Sequence, residues 1–325
     1  MPRSWKSARG GFMRGIELAR AFYLEYGKPM LEEQFPELKG QVATGLVGSG
    51  SECFGFDDEI SRDHDFEPGF CIFLPDEGSV DRKTAFALER AYAKLPREYQ
   101  GIKRQTMSPV GGNRHGVIRV SDFYREKIGS PTGELSPDAW LRLPSSALAE
   151  ATNGEVFFDG LGLFSSIRKA LCEMPEGVRR KKLAGNLLQM AQAGQYNYNR
   201  CLAHGETGAA QLAIGEFVNG AMEVIFLLNR AYQPYYKWRF RAMRGLPKFP
   251  ELADTLEYLL TTDNTPSTAD TKYTVIEDVA SMIIKELMEQ GLTEAICGDL
   301  EKHAYSVNDG IKEPYLRNLH ILTAV

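Results

Sequence analysis

Apolar residues near the start of the chain recur at Ile16, Ala19, Phe22, Tyr23, Tyr26, Met30 and Leu31, roughly the spacing of one helical face. The pattern predicts a long opening helix over Phe12 to Gln34, with a break near Gly27-Lys28-Pro29 and an end at Pro36, because proline withdraws a backbone donor. It then changes character. Val42 to Val47 is small and apolar without alternation, as in a strand buried on both faces, and Phe70 to Leu74 reads the same way. Lys83 to Leu95, with Ala85, Phe86, Leu88, Ala91, Tyr92 and Leu95, predicts a helix covering one face of a sheet. Residues 96 to 114 mix Pro, Gly and polar side chains and predict an irregular excursion. A further strand follows from Gly116, then a helix beginning Phe123-Tyr124-Arg125. Residues 129 to 162 mix turns with short elements, including Val156-Phe157-Phe158, and are expected to form the sheet edge and a hinge.

From Leu163 onward the period is helical. Ser165 to Glu173 and Val178 to Gln192 predict two helices separated by Met174-Pro175-Glu176-Gly177. Ala209 to Leu228 repeats Ala210, Ile214, Phe217, Val218, Met222, Ile225 and Leu228 mostly at intervals of three and four. Another helix starts at Pro250-Glu251-Leu252, and Thr274 to Gln290 is a strong late one, whereas Thr261 to Thr271 is polar and predicts a loop. Helices joined by short connections indicate a bundle. The chain therefore predicts an α+β protein: a mixed sheet with helices over residues 1–162, including the N-terminal helix, followed by an all-helical bundle domain over 163–325. A length of 325 residues agrees with two domains.

Composition narrows the class. Hydrophobic residues at 43% and charged residues at 25% are ordinary for a soluble globular protein. A net charge of -5 argues against a nucleic-acid partner, since backbone binding needs clustered Lys and Arg. The five cysteines, Cys53, Cys71, Cys172, Cys201 and Cys297, lack metal-ligand spacing, and an odd number is a poor disulfide framework, so the expected address is cytoplasmic. The basic N-terminus has no apolar signal core, and Met222 to Leu228 is too short to span a bilayer, so no membrane partner is expected.

The chemistry concentrates between residues 48 and 65. Gly48-Ser49-Gly50-Ser51 follows a buried strand, and glycines there let the backbone turn tightly and approach a ligand. Ser49 or Ser51 is expected to cap a short helix whose free amides favour a phosphate. Asp63-His64-Asp65 follows, and an extended backbone puts Asp63 and Asp65 on one face. Two such carboxylates repel unless a cation lies between them, and hard divalent ions with phosphate ligands suit them. The plain alternative is a solvated acidic loop, since residues 51–67 carry seven acids against one arginine. The alternating acids of a calcium loop are absent, as is the Lys-Ser/Thr of a Walker loop.

At these residues the chain resembles the polymerase-beta-like nucleotidyltransferase superfamily, whose signature is Gly-Ser at a helix start followed by Asp-x-Asp/Glu on the next strand. It resembles most a bacterial nucleotidyltransferase-like group with a C-terminal helical domain, through Gly48-Ser49-Gly50-Ser51-Glu52, Gly55-Phe56-Asp57-Asp58, Ser61-Arg62-Asp63-His64-Asp65, His115-Gly116-Val117, Asp138-Ala139-Trp140-Leu141, Gly154 to Asp159, and Pro234-Tyr235-Tyr236-Lys237-Trp238. The resemblance implies a magnesium (or manganese) site at Asp63 and Asp65. It also implies phosphate binding at Gly48 and Ser49, with Ser51 and Arg62 nearby, a nucleoside triphosphate as donor, and an acceptor that the sequence does not name. A third carboxylate normally arrives from a later strand. Arg119 occupies the central position of the strand from Gly116, which leaves Asp122 first, then Asp159 or Glu155.

Basic residues of the second half complete the candidates. Arg179-Arg180-Lys181-Lys182 is a compact run, expected to form a solvent face. Lys237, among Tyr232, Tyr235, Tyr236 and Trp238, offers either a cation for phosphate beside stacking faces or interface packing. Arg200 and His204 are four apart, hence on one helical face. Arg200 is the expected ligand for nucleotide or acceptor, and a ribonuclease-like role for the pair is the alternative. His115 is expected to be structural. The oligomeric state is not legible.

Overall fold

The computed structural model describes residues 13–59, 66–104 and 114–325. The opening helix runs as α1 (Gly15–Phe22), one π-helical turn at Tyr23–Gly27, and α2 (Lys28–Gln34). The break expected at Gly27-Lys28-Pro29 is thus a widened turn. Pro29 has no N–H for the carbonyl four residues back, and a π turn absorbs that mismatch while the helix continues. A 3₁₀ turn at Pro36–Leu38 follows.

β1 (Ala43–Leu46) and β2 (Cys71–Leu74) are buried at every position, as their unbroken apolar runs require. After α3 (Arg82–Ala93), part of the predicted irregular excursion is a short hairpin of β3 (Glu98–Tyr99) and β4 (Ile102–Lys103). The chain continues through β5 (Gly116–Arg119), α4 (Val120–Ile128), α5 (Pro137–Arg142), α6 (Ser145–Thr152), β6 (Glu155–Asp159) and α7 (Leu163–Cys172). The sheet order is β5-β2-β1-β6, with β6 at one edge. β1 is antiparallel to both neighbours, and β5 is parallel to β2.

Helices cover both faces of this sheet. On one side Phe22 and Tyr23 pack with Phe70, Ile72, Leu74, Leu88 and Tyr92. On the other, the Phe73 ring stacks on Phe164 of α7 at 4.3 Å and meets Phe123 of α4 edge-on at 5.4 Å. Arg119 donates to the carbonyls of Pro75 at 2.8 Å and Val80 at 3.0 Å, tying the end of β5 to the turn after β2.

The remainder is helical: α8 (Glu176–Met190), a π-helical stretch at Ala191–Asn197, α9 (Tyr198–Ala203), α10 (Thr207–Leu228), α11 (Arg239–Met243), α12 (Leu252–Thr261), α13 (Pro266–Glu289), α14 (Leu300–Asp309) and α15 (Pro314–Asn318). The α10 helix is long and apolar enough to cross a bilayer by length and composition. Most of it is nevertheless buried, with Phe217, Ile225 and Leu228 in a core shared with Leu187 of α8 and Ile283 of α13.

Two units emerge from the contacts. One takes the chain through Glu134 together with Ala147–Glu173, and the other takes Leu135–Ser146 and Met174–Val325. This division differs from a single break after residue 162: α5 belongs with the helical unit, and α7 belongs with the sheet through its Phe164 contacts.

The helical unit corrects two expectations. Arg179, Lys181 and Lys182 are buried, not a solvent face. Arg179 forms a bidentate pair with Glu176, at 2.8 and 2.9 Å. The Lys181 ammonium donates to Asn308 Oδ1 at 2.8 Å and to the Leu319 carbonyl at 2.6 Å, and that of Lys182 to the carbonyls of Leu141 at 3.2 Å and Leu143 at 3.3 Å. Buried charges persist where such acceptors surround them. The loop expected over Thr261 to Thr271 is shorter, because α13 begins at Pro266, a residue suited to a first helical turn. Lys272 is buried beneath that loop, its ammonium held by Gln211, Asn264 and the carbonyls of Thr262 and Asp263.

Candidate functional site

Directly after β1 the backbone enters a turn that only glycine adopts readily, with φ of +101° at Gly48 and +127° at Gly50. Asn153, between α6 and β6, clamps this turn. Its Oδ1 accepts from the Gly48 N–H and its Nδ2 donates to the Gly48 carbonyl, both at 2.7 Å. Ser49 then projects its hydroxyl between two charged side chains. It donates to Glu150 Oε2 of α6 at 2.7 Å and accepts from Lys127 Nζ of α4 at 2.8 Å, while Lys127 also bonds Glu150 at 2.9 Å. An added Cβ at position 48 would make only ordinary contacts, 3.4 Å from the Phe123 ring and 3.6 Å from Lys127 Cε, so it is the positive φ that calls for glycine there. The turn thus carries a cation beside a hydroxyl on a clamped backbone.

The chain next makes a 3₁₀ turn at Glu52–Phe54, whose start no side chain caps among the described residues. The capping expected of Ser49 or Ser51 is therefore replaced. Ser49 Oγ is engaged by Lys127 and Glu150, and Ser51 contributes its carbonyl, which accepts from Phe54 and Phe56. The Glu52 side chain folds back against Gly50 and is buried. Burial raises its pKa above the ordinary carboxylate value, Arg114 at 3.8 Å pulls it down, and the charge of Asp57 pushes it up. Asp57 is also buried. Its Oδ2 accepts from the Gly15 N–H at 2.7 Å, and its Oδ1 has no hydrogen-bond partner among the described residues. The His115 Nδ1 lies 2.9 Å from Glu67 Oε1, with the ring packed against Gly69.

Arg62, Asp63 and Asp65, with His64, lie outside the described residues. Among the described residues no three His, Cys, Asp or Glu side chains gather as a metal site. Asp122 sits in the first turn of α4, exposed and paired with Arg125 at 2.6 Å. Asp159 accepts from the Ser165 N–H at 2.8 Å at the start of α7, and Glu155 pairs with Arg20. Each of the three candidate third acids is thus engaged locally. In the helical unit, Arg200 is exposed with its guanidinium 5.0 Å from the Tyr196 ring, and Lys237 is exposed with Nζ 4.4 Å from the Trp238 ring. His204 is exposed just past the end of α9.

Residues 140–239 match a family described as Domain of unknown function (DUF4037). The match runs from α5 to the first residue of α11. No curated protein matches. A crystal structure of a nucleotidyltransferase-like protein from Exiguobacterium sibiricum aligns at 13% identity over 84% of this chain and 78% of that one, with a TM-score of 0.36. The turn at Gly48–Gly50 precedes the matched stretch, whereas Glu150 and Asn153, which hold that turn, fall within it.

Lys127, Glu150 and Asn153 were not legible as site residues. They stand 78, 101 and 105 positions along the chain from the groups they contact, in short helices and turns without a motif of their own. The one available signal was the Asn153-Gly154 dipeptide, which reads as a turn but not as a clamp.

Proposed function

We propose that this protein transfers a nucleoside monophosphate from a nucleoside triphosphate to a hydroxyl of a small molecule or protein, in a reaction dependent on magnesium or manganese. The observation that carries the reading is the Gly48-Ser49-Gly50 turn, with Lys127 Nζ 2.8 Å from the Ser49 hydroxyl. A glycine turn leaving a buried strand lets the backbone approach a ligand closely, and a lysine beside it supplies a point charge for phosphate oxygens. Asp63 and Asp65 would hold the divalent cation, which on binding neutralises phosphate charge and favours pyrophosphate as leaving group. The all-oxygen donor set suits such an ion, and the orphaned Asp57 Oδ1 is a further buried acceptor in the same segment.

In the reaction the acceptor oxygen attacks the α-phosphorus, a new P–O bond forms, and the bond to the bridging oxygen breaks. The acceptor proton passes to a carboxylate or to solvent. Lys127 would shift from Glu150 toward the triphosphate, and Asn153 would hold the Gly48 amide in place. The test is magnesium-dependent pyrophosphate release across the four nucleoside triphosphates and a panel of acceptors, with Asp63→Ala and Asp65→Ala as controls. Release that both substitutions leave unchanged would sink the proposal.

A second reading is a protein that binds nucleotide or a partner without turnover. It is favoured by the engagement of Asp122, Asp159 and Glu155 elsewhere. It predicts saturable nucleotide binding with no pyrophosphate released under any acceptor.

A further inference from the structure

The helical unit holds a cavity of about 590 Å³ between α5, α8, α10 and the segment around Gln233 to Arg239, closed on one side by residues 323–325. Several of its acceptors are matched by donors from its own wall. Ser145 Oγ bonds Glu223, Gln189 Nε2 bonds Glu216, and Asn219 Oδ1 accepts from Arg239 Nη1 at 3.1 Å. Its donors are not all matched. Gln233 is 4% exposed and its Nε2 has no partner among the described residues, nor has the buried Nε of Arg239. Lys182 lines the same cavity with a buried ammonium. Buried polar groups are almost always satisfied by protein, water or a ligand, so two orphaned donors in one polar cavity call for an acceptor, solvent or a bound oxyanion, supplied from outside the chain.

We propose that this cavity binds a small molecule through a carboxylate or phosphate group, whose oxygens accept from Gln233 Nε2 and Arg239 Nε. The guanidinium gives the oxyanion its strongest partner, because a charge-assisted bond is shorter and stronger than a neutral one. The Lys182 ammonium adds positive charge to the same walls. Burial lowers its pKa, opposed by Glu223, and an oxyanion in the cavity would act in the same direction as Glu223. The site shares no residue with the Gly48–Gly50 turn, and it stands whether or not that turn binds a nucleotide.

The test uses the full chain labelled with ¹⁵N-glutamine, the Gln233 side-chain amide being assigned by its loss in Gln233→Glu. Inorganic phosphate and acetate are titrated separately, against sodium chloride at matched ionic strength. The expected result is a saturable shift of the Gln233 amide with at least one probe, and a dissociation constant at least tenfold weaker in Arg239→Met. Arg239→Lys, which keeps the charge and removes Nε, is expected to weaken binding at least threefold with the remaining spectrum unchanged. Saturation by phosphate assigns a phosphate ester, and saturation by acetate alone assigns a carboxylate. No saturable shift with either probe, or equal affinity in both Arg239 variants and the wild type, would overturn the proposal.

Discussion

Glu52 carries a carboxyl buried against the Gly50 backbone, and that burial raises its pKa, with Arg114 and Asp57 acting in opposite senses. The folded state therefore binds this proton more tightly than the unfolded chain does. Ionisation of Glu52 opposes folding: the penalty is absent below the ordinary value of 4.5 and grows as pH rises through it, becoming complete above the raised folded value. Glu52→Gln is accordingly expected to raise the melting temperature at pH 7 and to change it little at pH 4, as calorimetry across that range would show. A shift of equal size at both pH values would contradict this. At this scale the sequence exposed Gly48 and Ser49, because a strand running into Gly-Ser-Gly is a local pattern. It did not expose Lys127, whose role comes from α4 packing beside the turn. It also misassigned Arg179, Lys181 and Lys182, since a charge run reads as surface until the carbonyls that surround it are known.

Among elements, the turn between α6 and β6 holds the turn after β1. Asn153 makes two hydrogen bonds to Gly48, and Gly154 donates to the Cys53 carbonyl at 2.8 Å. Gly154 has φ of +67°, and a Cβ there would stand 2.1 Å from the Leu46 carbonyl oxygen. Asn153→Ala is expected to cost about 2 kcal/mol, from two net hydrogen bonds. Gly154→Ala is expected to cost more, because strain at a positive φ adds to a backbone collision. Urea denaturation followed by tryptophan fluorescence measures both, and a Gly154→Ala variant as stable as wild type would refute the close approach. The β3–β4 hairpin read as irregular chain, whereas the strands of the four-stranded sheet and the longer helices were legible because buried strands run apolar without alternation and the helical period is distinct. The π turn at Tyr23–Gly27 and the start of α13 at Pro266 were not, since proline marks a perturbed turn without saying whether the helix continues.

Across the whole molecule, the sheet unit carries the glycine turn, and the helical unit uses buried lysines to tie distant segments together. Lys181 joins α8 to α14 and to the Leu319 carbonyl. Lys181→Met leaves those acceptors unpaired and is expected to destabilise the helical unit by about 2–4 kcal/mol. Limited proteolysis would then cut earlier near residues 310–325 than in the wild type, and unchanged cleavage would count against this bracing role. The two-part organisation was legible from the switch to a continuous helical period, but the assignment of α5 and α7 rests on contacts that no local pattern encodes. The central claim is that the Gly48–Gly50 turn and Lys127 hold a triphosphate. Its most direct measurement is calorimetric titration of magnesium-loaded nucleoside triphosphates into the wild type and into Lys127→Met/Glu150→Gln, a pair that leaves no carboxylate unpaired. The account predicts binding of at least one triphosphate by the wild type, weakened about 10- to 100-fold in the variant, the equivalent of one charge-assisted hydrogen bond. Equal affinity in both proteins, or no binding by the wild type, would contradict it.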